Sequence, residues 1–76
     1  MPRAEVYSPK PLDIGSAAVT EVQVGNGDGT LYRYDGLRLL VLSGGHFFFL
    51  HDGWTLRDGT IIVLPDDNSV RIEFRR

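Results

Sequence analysis

The sequence predicts an all-β fold: a small single-domain antiparallel meander, curled into a barrel or rolled sheet of six or seven strands. Two observations carry this reading. Turn-forming residues cut the last two thirds of the chain at near-regular intervals, at Gly25-Asn26-Gly27-Asp28-Gly29, Asp35-Gly36, Ser43-Gly44-Gly45, Asp52-Gly53, Asp58-Gly59 and Asp66-Asp67-Asn68-Ser69. Such residues tolerate positive φ or cap their own turns, and a spacing of about 8 residues is the rhythm of hairpin-connected strands. Between the cuts, apolar residues either alternate with polar ones or fill both faces, and no segment repeats at a helical period.

Residues 1–16 stand apart as a Pro-containing extended N-terminal arm, since Pro2, Pro9 and Pro11 favour an extended chain. Residues 17–76 form the all-β domain, in which seven short strands are expected. Val19–Val24 sets Thr20, Val22 and Val24 against Glu21 and Gln23. Thr30–Tyr34 sets Leu31 and Arg33 against Tyr32 and Tyr34. Leu37–Leu42, apart from Arg38, and His46–His51 are apolar on both faces, with Phe48 and Leu50 opposite Phe47 and Phe49, as suits central strands. Trp54–Arg57 alternates, Thr60–Leu64 is β-branched, and Ser69–Phe74 turns Val70, Ile72 and Phe74 inward and Arg71 and Glu73 outward. Asp35-Gly36 and Asp58-Gly59 suit tight two-residue hairpins.

Length and composition narrow the function classes. A chain of 76 residues is one domain, and at this size only ~60% of the unfolded surface is buried, so outside support is expected. The absence of cysteine excludes disulfides and thiolate metal sites. It also fits a reducing, cytoplasmic location, and Met1–Ser8 lacks the apolar core of a secretory signal. The apolar runs fall far short of the ~20 residues of a membrane helix. Oligomerisation or docking on a larger protein remains as the support.

Candidate chemistry mostly dissolves into turns. Asn26, Asp28 and Gly29 resemble part of a calcium loop, but Val24 stands where the first oxygen ligand is needed and Asp35 is short for the bidentate position. His46 and His51 point to opposite strand faces and cannot share a metal; both are expected at exposed strand ends. The serines lie in turns or linkers without a nucleophile elbow, and the carboxylates are turn formers. No catalytic, cofactor or metal residue is assigned. Seven of the eight basic residues are arginine and the net charge is −2, which disfavours a nucleic-acid surface while leaving Arg71, Arg75, Tyr32 and Tyr34 as its best residues.

From Leu39 to Phe74, about half the chain, the pattern resembles the middle of a cupin barrel. Val41-Leu42-Ser43-Gly44 matches the family's Val-Leu-x-Gly turn, Leu56-Arg57-Asp58-Gly59-Thr60 sits at its Gly-Asp turn, and Val63-Leu64-Pro65 matches a strand end. The resemblance implies a truncated cupin-like barrel lacking metal ligands. The family's metal histidines and glutamate would lie around Leu31–Leu37 and near Val70, where this chain has none.

The function expected from these residues is non-enzymatic: a protein-interaction module that self-associates or docks on a larger protein. Its contact residues are expected to be Phe47, Phe49, Trp54, Tyr32, Tyr34, Arg71 and Arg75, with no cofactor. Its size suits an accessory or inhibitor protein, including one encoded by a phage. A nucleic-acid-binding or a small-molecule-binding β-barrel is the alternative.

Overall fold

The computed structural model describes residues 1–15, 18–25 and 27–75. They form six strands: β1 (Arg3–Ser8), β2 (Thr20–Val24), β3 (Leu31–Ser43), β4 (His46–His51), β5 (Ile61–Pro65) and β6 (Arg71–Arg75). All are antiparallel in one sheet ordered β5-β4-β3-β1-β6, with β2 also paired to β3. The turn between β3 and β4 is as expected. Gly44 and Gly45 have φ of 61° and 76° and link Ser43 to its register partner His46, the two-positive-φ geometry that matches strand twist.

Three expected features come out differently. Arg3–Ser8, expected within the extended arm, is a strand paired on both sides, with β3 and with β6. Its sequence alternates Ala4, Val6 and Ser8 with Arg3, Glu5 and Tyr7, and Pro2 and Pro9 bracket it where no ladder N–H is needed. The expected boundary at residues 16 and 17 lies outside the described residues. Asp35-Gly36 is no hairpin but part of a continuous β3. The register steps from Ala4↔Leu37 to Val6↔Tyr34, leaving an extra residue in β3. Gly36 takes φ 93° there, so the dipeptide that suits a turn makes a bulge instead. Trp54–Arg57 is not a strand: residues 52–60 join β4 to β5 as one longer loop with Asp58-Gly59 inside it.

The sheet rolls but does not close. Pro65 at the end of β5 is level with Ser43 through His46, and Arg71 at the start of β6 is level with Arg33 through Tyr7. Those levels lie about 33 Å apart along a straight β3. The connection 66–70 reaches roughly 20 Å even when extended, and Asp67 shortens it by accepting Ser69 N–H at 2.8 Å. The sheet must therefore bend sharply between the halves of β3, where the bulge lies. The ends β5 and β6 nonetheless have no ladder between them. The barrel expectation, cupin-like or otherwise, gives way to an open rolled sheet.

The concave face holds the core: Ala4, Val6, Tyr34, Leu37, Phe49 and Leu64. Strand register puts each of them on one side. The connection from β1 to β2 crosses this face and adds Leu12, Ile14 and Val19. It supplies the second layer that a single sheet needs to bury an apolar face.

Candidate functional site

The sequence-predicted contact residues do not converge. Phe47, Phe49, Tyr32 and Tyr34 lie on the concave face and belong to the core or pack on it. Phe49 is 0% exposed and Tyr34 2%, while the Phe47 and Phe49 rings stack with centroids 6.0 Å apart. Tyr34 is a structural bridge: its hydroxyl accepts Leu12 N–H at 2.7 Å and donates to Glu21 Oε1 at 2.8 Å. Trp54 lies in the 52–60 loop, packed so closely on Gly59 that a Cβ there would overlap the indole. Arg71 and Arg75 lie on the convex face. Arg71 covers the Tyr7 ring at 4.5 Å and pairs with Glu73 at 3.1 Å. Arg75 reaches Glu5 at 2.7 Å and Glu73 at 3.6 Å.

The convex face divides into two chemically distinct halves. Over β6, β1 and the first part of β3 it is charged and internally paired. Besides the pairs above, Arg33 binds both oxygens of Asp35 at 3.1 and 3.2 Å, and Arg38 binds Asp52 at 2.8 Å. The hydrogen bonds to Asp35 and Glu5, and then their charges, hold Arg33 and Arg75 more firmly protonated than usual. Over the second part of β3, β4 and β5 the face is apolar. Register aligns Val41, Phe48 and Val63 in one row and Leu50 and Ile61 in the next. A bulge between Leu39 and Val41 adds Leu40 opposite Phe48. Val41 is 44% exposed, Leu40 and Val63 47%, and Ile61 49%. At about half exposure each, these side chains present on the order of 400 Å² of apolar surface, the size of the largest patch on a typical monomer.

A groove of ≈ 620 Å³ runs between β5 and the β1–β2 connection. Leu12 and Ile14 form one wall and the consecutive residues Ile62, Val63 and Leu64 the other, with Asp13 and Asp58 also lining it. His51 sits at its end and is buried, not exposed as expected. Its Nε2 accepts Thr60 N–H at 3.3 Å, which leaves Nδ1 as the donor to the Asp52 carbonyl at 3.0 Å. Both ring nitrogens thus brace the ends of the 52–60 loop. His46 is exposed and meets the Gly44 carbonyl.

Among the described residues no cluster of His, Cys, Asp or Glu could hold a metal ion, and no helix is long and apolar enough to cross a membrane. The sequence reading missed the Leu40 side of the apolar face and the groove. The first depends on a bulge and the second on which segment crosses the concave face. Comparison with protein-family models, curated proteins and solved structures gives no match.

Proposed function

We propose that this chain is a non-enzymatic protein-interaction module that self-associates or docks on a larger protein through the apolar convex face of β3, β4 and β5. Its size suits a cytoplasmic accessory or inhibitor protein, of a kind that a phage can encode. The observation that carries the reading is the contiguous row Val41–Phe48–Val63 with Leu40 and Ile61 beside it. A standard interface buries about 800 Å² per partner, a little over half of it apolar. A patch of about 400 Å² is therefore enough to serve as the apolar centre of such an interface.

The alternatives have less support. A nucleic-acid surface needs a cluster of free cations, yet Arg33, Arg38, Arg71 and Arg75 pair with neighbouring carboxylates, and Arg3, Lys10 and Arg57 lie on separate segments. A catalytic histidine needs a free nitrogen facing a pocket, yet His51 spends both on the main chain.

Light scattering on the full chain, alone and after pull-down, tests the reading. The wild type should be an oligomer or recover a stable partner. Val41→Glu should abolish that association without loss of fold, because its side chain is 44% exposed and such surface changes alter stability by only about ±0.5 kcal/mol. A folded wild-type monomer that recovers nothing refutes it.

A further inference from the structure

We propose that the groove along β5 binds an extended peptide strand of a partner protein, apolar at alternate positions and flanked by lysine or arginine. This is a second site, on the edge of β5, which adjoins the apolar convex face and shares Val63 with it.

The first support is main-chain chemistry. Asp66 N–H donates to the Gly45 carbonyl at 2.9 Å, in register with the β4–β5 ladder. Antiparallel residues alternate between pairs that exchange hydrogen bonds and pairs that do not. Ile62 and Leu64 therefore turn their N–H and C=O toward β4, and Ile61 and Val63 turn theirs to the open edge. Pro65, which has no N–H, falls in the outward phase, where a proline costs the sheet nothing but offers an added strand no donor, so the docking edge is Ile61 to Val63.

The second support is edge chemistry. β5 reads Ile61-Ile62-Val63-Leu64-Pro65 and carries no charge, whereas β6 carries Arg71, Glu73 and Arg75 and β2 carries Glu21. Charged side chains protect an edge against added strands, and β5 lacks that protection.

The groove then selects the occupant. Its volume of ≈ 620 Å³, with Leu12 and Ile14 as the second wall, suits a single strand better than the sheet that accompanies the edge of a second copy. Ile62, Leu64, Leu12 and Ile14 offer apolar contact to the side chains a bound strand would turn inward. Asp13 and Asp58 line the groove, both exposed and without an ion-pair partner among the described residues, which favours a basic flank. Strand addition of this kind draws affinity from main-chain bonds and specificity from alternate side chains.

The probe is a short synthetic peptide alternating valine and threonine with lysine at each end, titrated into the full chain and followed by amide NMR. Shifts at Ile61, Val63, Leu12 and Ile14 should saturate with a Kd between about 1 μM and 1 mM. A peptide ending in glutamate should bind about three- to tenfold more weakly. A peptide with methylated main-chain nitrogens should not bind. Val63→Pro should fold, since that N–H points away from β4, and should lose binding. Absence of shifts at β5 overturns the proposal; equal binding of the methylated peptide overturns it in favour of a small apolar ligand. Equal or tighter binding of the glutamate peptide overturns the stated chemistry. Val41→Glu should leave peptide binding intact. If it abolishes association while the peptide fails to bind, the groove inference falls alone.

Discussion

Tyr34→Phe removes one oxygen from the centre of the fold and leaves the ring volume in place, so no cavity contributes to its effect. The Tyr34 hydroxyl holds two otherwise separate segments to β3. It accepts Leu12 N–H at 2.7 Å, from the connection that covers the core, and donates to Glu21 Oε1 at 2.8 Å, from β2. A hydrogen bond to a charged group contributes about 1.5–3 kcal/mol and a neutral one about 0.5–1.5 kcal/mol. Glu21 is exposed and can turn to water, which puts its share at the low end; Leu12 is partly buried and loses more. The sum is a loss of about 2 kcal/mol, or roughly 8–16 °C in Tm for a domain of this size. Urea unfolding followed by Trp54 fluorescence measures it, with the slope unchanged if only the native state is affected. There is a second readout in pH. Burial first, and then the hydrogen bond to Glu21, raise the Tyr34 phenol above its ordinary 10.0 against an opposing effect of Leu12 N–H. The folded chain thus holds the proton more tightly than the unfolded chain. That stability is complete below pH 10.0 and is lost as pH rises through the folded value. Wild-type stability should fall more steeply than that of Tyr34→Phe above this point. A loss below about 0.5 kcal/mol, with identical alkaline limbs, would refute the bridging role.

Two further substitutions test the frame around the groove. Gly36→Ala forces a side chain into φ 93° and against the Ala18 carbonyl; it should cost about 2–3 kcal/mol by urea unfolding, the larger part from strain. His51→Ala removes the brace between Asp52 and Thr60. It should cost about 1–3 kcal/mol and speed hydrogen exchange at Thr60 N–H, whereas unchanged exchange would show that the loop is held by other contacts.

The strand faces were legible because period-two alternation is a local property. Phe47 and Phe49 were separated from Phe48 and Leu50 by parity alone, and Ser43-Gly44-Gly45-His46 is the hairpin that its two glycines demand. Arg3–Ser8 was equally periodic, with Ala4 and Val6 between Arg3, Glu5 and Tyr7. There the surrounding prolines outweighed the alternation, although Pro2 and Pro9 lie outside the strand and mark its ends. Asp35-Gly36 was ambiguous in principle. A glycine at positive φ serves a hairpin and a bulge alike, and only the partner strand decides which. Phe47, Phe49 and Tyr34 stand out in the sequence by aromatic character, but the concave face buries Phe49 and Tyr34 in the core and packs Phe47 against it. The exposed apolar residues of the convex face, Leu40, Val41, Ile61 and Val63, are aliphatics that single-residue chemistry does not distinguish from core.

By itself, the sequence determined that this protein is all-β, antiparallel, punctuated by glycine and aspartate, and without the cysteine or histidine clusters that build disulfide or zinc sites. These properties follow from backbone preferences and from side-chain inventory, which each residue carries alone. Tertiary structure decided which apolar face is covered. The bend of β3 and the passage of Leu12 and Ile14 across the concave side bury one set of aromatic residues. They leave the convex row of Val41, Phe48 and Val63 and the edge of β5 without a second layer. Burial is a property of pairs of distant segments. For that reason the surfaces on which the proposed function rests emerged only once β5 and the β1–β2 connection were placed in space.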